Sequence, residues 1–250
     1  MDTDFYAALV GAEIDVASHT KAGLFFGAGS SKYKAHEYGK IDSNDLHVGA
    51  YGVSNIQNVA AINYGVTHTN QDRDAKRTLW VGQDSGYNSS SYDAKITQLF
   101  VEGAYTQLNN DQYSIEPYAG FNWLHVTSDN LHEQVGNMQF TTKTDNQDIQ
   151  VGTVGLRGGY PFTAGNVNLA LKGDVSASHL FGDNRPEAML FLSDTGEAKI
   201  RGGKLDNLFG IGLSIDAQLN KSTTLGVSYQ GQYNSDVNSS GVNATLKINF

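Results

Sequence analysis

The last nine residues, VNATLKINF (Val242 to Phe250), alternate without a break. Val242, Ala244, Leu246, Ile248 and Phe250 are apolar; Asn243, Thr245, Lys247 and Asn249 are polar. Successive side chains of a strand point to opposite faces of its sheet, so this segment reads as a strand with one greasy and one polar face. The pattern recurs upstream. In TTLGVSYQGQY, Leu225, Val227, Tyr229 and Tyr233 share one parity against Thr224, Ser228, Gln230 and Gln232. In LFGIGLSIDAQL, Phe209, Ile211, Leu213, Ile215 and Ala217 oppose Gly210, Gly212, Ser214, Asp216 and Gln218. In VNLALKGDVSA, Val167, Leu169, Leu171, Val175 and Ala177 alternate with Asn168, Lys172, Asp174 and Ser176. Further strands are read near 148–161, 113–126, 92–107, 57–69, 44–54, 21–33 and 4–16, eleven in all. No segment carries a helical period and no composition break divides the chain, so 1–250 reads as one all-β domain.

The connections separate the possible all-β folds. ASHT (17–20), SNIQ (54–57), LNND (108–111), TAGN (163–166) and NKST (220–223) are short, whereas 34–43, 70–91, 127–147 and 182–204 are long. Short and long alternate along the chain. A membrane barrel has this asymmetry, with tight periplasmic turns and long outer loops. A soluble sandwich or eight-stranded ligand barrel would turn its polar parity to water and carry more Lys and Glu there. Here that parity is rich in Gly, Ser, Gln and Asn, which suits a wet lumen. Phe5, Tyr6, Tyr113, Trp123, Tyr160, Phe162, Tyr233 and Phe250 sit near strand ends, as interfacial girdles do.

Composition is consistent with this reading. The chain has 250 residues, no cysteine and a net charge of -9. Disulfides and thiolate metal sites are excluded, and an electrostatic nucleic-acid binder is disfavoured. No run approaches the roughly 18 apolar residues of a membrane helix, but a membrane strand needs only about 10 residues with every second one apolar. Met1-Asp2-Thr3-Asp4 has neither the basic start nor the apolar run of a signal peptide, so an export signal is expected further upstream. An even strand number is the rule for bacterial single-chain barrels. The twelfth strand is therefore expected before Met1 or within 182–204, where EAMLFLS and EAKIRGG read as a hairpin reaching beyond the membrane.

Four stretches carry a resemblance to a known family: IEPYAGFNWLH (115–125), VGLRGGYPF (154–162), SASHLFGDNRPEA (176–188) and LGVSYQGQYNSD (225–236). In order and spacing they resemble the C-terminal translocator domain of monomeric autotransporters, the type V secretion proteins of Gram-negative bacteria. One departure is Ala177-Ser178-His179, where the family usually has an arginine before the histidine. The resemblance implies a twelve-stranded transmembrane antiparallel β-barrel, integral to the outer membrane and monomeric. It implies delivery of a covalently linked N-terminal passenger to the cell surface. The implied partners are the barrel-assembly machinery, outer-membrane lipid and lipopolysaccharide, and the chain's own upstream passenger and linker helix. A free-standing outer-membrane pore and a barrel hydrolase are the rival readings.

Site residues follow from parity and from the resemblance. The apolar positions of the final strand, Val242, Ala244, Leu246, Ile248 and Phe250, are assigned as an assembly signal read by β-augmentation. Glu116 and Arg157 point into the lumen from neighbouring strands and are expected to pair. Glu13, Asp15, Lys172, Asp174 and Asp216 are further lumen charges. Some members of the family cut their own linker with a lumen acid near a linker asparagine. That asparagine segment is not in the sequence, so no catalytic residue is assigned, and no cofactor. The seven histidines (19, 36, 47, 68, 125, 132, 179) form no metal motif, although His179 beside Asp183 invites comparison with a catalytic dyad. GLRGGY lies inside a strand and is no phosphate loop. Residues 128–148 read as a solvated loop capping the pore, or as an adhesive or phage-binding element. Residues 194–206, the most charged loop, are a candidate contact for the emerging passenger.

Overall fold

The computed structural model describes residues 2–35, 39–57, 59–81, 84–110, 112–135, 137–185, 187–192, 196–235 and 238–249. The elements are β1 (Asp2–Ala17), β2 (Thr20–Ala35), β3 (Gly39–Ile56), β4 (Ala60–Val81), β5 (Asp84–Tyr105), β6 (Ser114–Ser128), β7 (Leu131–Val135) and β8 (Met138–Thr144). They continue with β9 (Gln147–Ala164), β10 (Val167–Gly182), β11 (Glu187–Leu192), β12 (Gly196–Arg201), β13 (Asn207–Gln218), β14 (Thr223–Tyr233) and β15 (Asn238–Ile248). Eleven of them form one antiparallel sheet in the order β1-β2-β3-β4-β5-β6-β9-β10-β13-β14-β15. The other four form a separate sheet, β12-β11-β8-β7. Among the described residues there is no helix.

The main sheet is turned inside out relative to a soluble protein. Leu24 is 68% exposed, Leu213 54% and Leu246 60%, while Ser31 and Asp45 are buried at 2% and 4%. Direct cross-strand partners share a face, so the greasy side can be followed from strand to strand: Leu171 opposite Ile215, Ile215 opposite Val227, and Val227 opposite Ala244. Water would penalise so much contiguous apolar surface, whereas lipid does not.

Several sequence expectations need correction. The segments 34–43 and 70–91 are largely strand, because β2 and β3 run to Ala35 and from Gly39, and β4 and β5 run to Val81 and from Asp84. Hydrophobic alternation reports where one face meets lipid. Backbone pairing continues beyond it, through rows such as Asp72 opposite Asp93, polar on the face that carries the apolar stripe lower down. The hairpin expected in 182–204 exists as β11–β12, but it joins the small sheet and supplies no barrel strand. Phe5 is not a girdle residue. Its cross-strand partner is buried Ser31, and its ring sits edge-on to His47 at 6.1 Å, on the lumen side. Phe250 and His36 lie outside the described residues.

Counted along the antiparallel order, β1 and β15 are both odd-numbered members and run in the same direction. Among the described residues no backbone ladder joins them. Their lumen side chains nevertheless approach, with Lys247 Nζ 3.7 Å from Glu13 Oε1, so the sheet curls most of the way round.

Candidate functional site: the lumen

Glycines on the lumen face make room for aromatic side chains of the next strand. Tyr118 lies across Gly155, where an added Cβ would sit 2.4 Å from the ring. That position puts the Tyr118 ring 4.4 Å from the Arg157 guanidinium carbon, a cation–π stack. Glu116 and Arg157 are direct cross-strand partners, and Arg157 Nε stands 3.6 Å from Glu116 Oε2. The shorter contact of Arg157 is to Glu102 on β5. Glu102 also accepts from Asn63 Nδ2 at 3.1 Å, and Glu116 accepts from Asn109 Nδ2 at 2.7 Å. Tyr118 donates its hydroxyl to Asp174 at 3.2 Å. One arginine thus bridges two carboxylates.

The remaining lumen charges form a loose belt with this cluster. Glu13 receives Lys21 Nζ at 3.3 Å and the Tyr51 hydroxyl at 3.2 Å, and Asp15 is 3.8 Å from Lys21. Lys172 donates to Asp216 at 2.7 Å. Glu102 was missed in the sequence, although it occupies the polar parity between Val101 and Gly103. Asp45 was missed as well. It accepts from Ser31, Ser43 and Gln71 at 2.9, 2.6 and 3.0 Å. Beyond it, Arg73 lies between the rings of Tyr33 and Tyr92, 5.8 and 5.9 Å from their centroids.

Among the described residues the histidines do not assemble a reaction centre. His179 Nδ1 is 2.7 Å from Asn207 Oδ1, while Asp183 accepts from the backbone N–H of Asp148. His125 Nδ1 meets Asp148 at 2.9 Å. Among the described residues no three metal-ligating side chains converge. GLRGGY runs within β9, as a strand.

Outside the membrane, the small sheet is held by ion pairs. Glu187 on β11 receives Lys199 and Arg201 of β12, which hold its carboxyl below the usual carboxylate range, Lys199 contributing most. Arg77 on β4 is held above its ordinary value by its bonds to Glu133 on β7.

A curled antiparallel sheet with a lipid-compatible outside and a polar inside defines a membrane barrel wall. The family model for the Autotransporter beta-domain matches residues 1–230. The chain belongs to the autotransporter β-domain family. It is thereby an integral outer-membrane domain. Two curated relatives, each an extracellular serine protease of Serratia marcescens, are 25% and 24% identical over 255 residues. The match takes in 99% of this chain but 24% of each relative, so the chain spans about a quarter of their length. Three solved structures share the fold. The translocator domain of NalP from Neisseria meningitidis has a TM-score of 0.76 at 12% identity, covering 99% of this chain and 80% of that one. The β domain of the Bordetella autotransporter BrkA scores 0.71 at 17% identity, with 99% and 92% covered. The transport unit of AIDA-I from Escherichia coli scores 0.73 at 15%, with 99% and 83% covered.

Proposed function

We propose that this autotransporter β-domain delivers a covalently attached N-terminal passenger to the cell surface, and that residues 1–250 act as one domain in doing so. The polar lumen enclosed by an apolar-outward wall is the observation that carries this reading, because it provides an aqueous path across lipid. The barrel it builds is twelve-stranded, with one antiparallel strand between β1 and β15. The parallel direction of those two edges supports that count, since an antiparallel ring needs an even number. The lumen carboxylates and Arg157 line the route and contact the chain within it. The upstream linker helix, the barrel-assembly machinery and lipopolysaccharide remain the expected partners. The apolar row Val242, Ala244, Leu246 and Ile248, ending on Phe250, is the assembly signal.

The delivery role is tested by joining an epitope-tagged reporter polypeptide upstream of the chain. Antibody labelling of intact cells is expected. A reporter that stays internal while the barrel is heat-modifiable in the outer membrane overturns the reading in favour of a free-standing pore. The signal role is tested by deleting Phe250. The expected result is loss of heat-modifiable barrel, and assembly at normal yield refutes it.

A further inference from the structure

Three consecutive residues of β7 are fastened to the inward face of the tall β4–β5 hairpin. Arg77 and Asn88 are cross-strand partners on that face. It is the inward one, because Asn88 shares parity with Tyr92 and buried Ala94, whereas Tyr87 on the opposite parity is 69% exposed. Arg77 Nε donates to Glu133 Oε1 at 2.6 Å, and its Nη2 makes a second bond to the same carboxylate. Asn88 Oδ1 accepts from the backbone N–H of Gln134 at 2.8 Å, and Ser90 Oγ donates to the carbonyl of His132 at 2.5 Å. The Glu133 side chain is 1% exposed.

From β7 the small sheet continues through β8 and β11 to β12, and the β11–β12 hairpin springs from between β10 and β13. The sheet therefore leans across the outer mouth along the arc from β5 to β13. It closes over a cavity of about 220 Å³ whose walls include lumen residues Arg73, Tyr92, Ala94 and Val126 and hairpin residues Leu131 and Thr142. Only residues 129–130 and 145–146 tie the β7–β8 hairpin to β6 and β9.

We propose that the four-stranded outer sheet is a lid on the lumen, tethered by its short links to β6, β9, β10 and β13 and latched shut by the Arg77–Glu133 pair. The inference stands without the passenger, because it concerns access to the lumen alone. Removing either member of a buried ion pair leaves the other without its partner and is strongly disfavoured in place, so the latch is the part of the contact whose loss favours opening. Opening exposes both groups to water, where neither needs the other.

The chain has no cysteine, so Ala94→Cys places a single thiol beneath the lid, at a site 1% exposed. A membrane-impermeant maleimide applied from outside then reads the open fraction. Labelling of Ala94→Cys is expected to be slow. Adding Glu133→Gln is expected to raise the rate about a hundredfold, or ~2.7 kcal/mol at about 1.4 kcal/mol per factor of ten. The swap of Arg77→Glu with Glu133→Arg should return it towards the slow rate. Arg77→Lys, which keeps the charge and loses the bidentate fork, should fall between. Only heat-modifiable, folded material is scored. If Glu133→Gln fails to fold, the Arg77→Lys and swapped variants decide. Equal labelling rates with the latch intact, weakened or reversed overturn the lid.

Discussion

Val227 and Ser228 are neighbours on β14 with opposite surroundings, and a lysine at each in turn tests which solvent each face meets. Val227 is 44% exposed in the isolated chain, with Ile215 and Ala244 as its cross-strand partners. Ser228 faces the other way, between Ser214 and Asn243. Both lie near the middle of Thr223–Tyr233. If the Val227 face meets hydrocarbon, Val227→Lys moves an ammonium to mid-membrane depth, which costs about 2–4 kcal/mol. That lowers the folding equilibrium constant by roughly 30- to 1,000-fold. Ser228→Lys places the same group in a wet lumen beside small polar neighbours and should stay within about 0.5 kcal/mol. A soluble barrel predicts a small effect for Val227→Lys, whose head group would enter water. Urea titration of folding into lipid vesicles, followed by tryptophan fluorescence and heat modifiability, measures both. Equal midpoints and slopes for the two variants would refute the inside-out assignment.

Other consequences are narrower. Gly155→Ala should displace Tyr118 from Arg157, because the new methyl would lie 2.4 Å from the ring; overpacking of this kind costs about 1–3 kcal/mol. The same urea titration reads it, and Tyr118→Ala in the same chain should remove the penalty. Glu187 sets an acid limit on the outer hairpin. Its folded carboxyl titrates below the ordinary glutamate range, so its pairing with Lys199 and Arg201 is complete above that range and is lost as pH falls through the lowered one. Amide exchange of residues 187–201 should therefore be unchanged between about pH 8 and 6 once corrected for intrinsic rate, and should accelerate only in stronger acid.

Much of the wall could be read before any coordinates. The two-residue period in β13, β14 and β15 assigns each side chain to a face, since strand geometry alone decides parity. Short turns against long segments set the expected orientation, and two of those long segments, 34–43 and 70–91, are largely strand. Glu116 and Arg157 could be assigned to the lumen face because IEPY and GLRG each place a charge on the polar parity. Glu102 stayed hidden because a single sequence does not say which strand lies beside which charge at what register. The register brings Glu102 and Asn63 together, and Arg157 chooses between two carboxylates by distance. Phe5 was misplaced for a related reason. An aromatic near a strand end resembles a girdle residue until its cross-strand partner, Ser31, fixes the face.

The tall β4–β5 hairpin and the outer sheet mark where alternation stops being informative. Above the membrane both faces meet water or polar neighbours, so no greasy stripe reveals the strands, and residues 70–91 look like loop. Their pairing follows from backbone hydrogen bonds with adjacent strands, which composition does not encode. The sequence alone determined an all-β chain with one lipid-compatible face, because hydrophobic periodicity is local and strand geometry is constant. Only the tertiary structure decided which charges meet in the lumen and that a distant hairpin folds inward onto Arg77. Those contacts join residues 55 and 56 positions apart, and their partners are set by sheet register and curl.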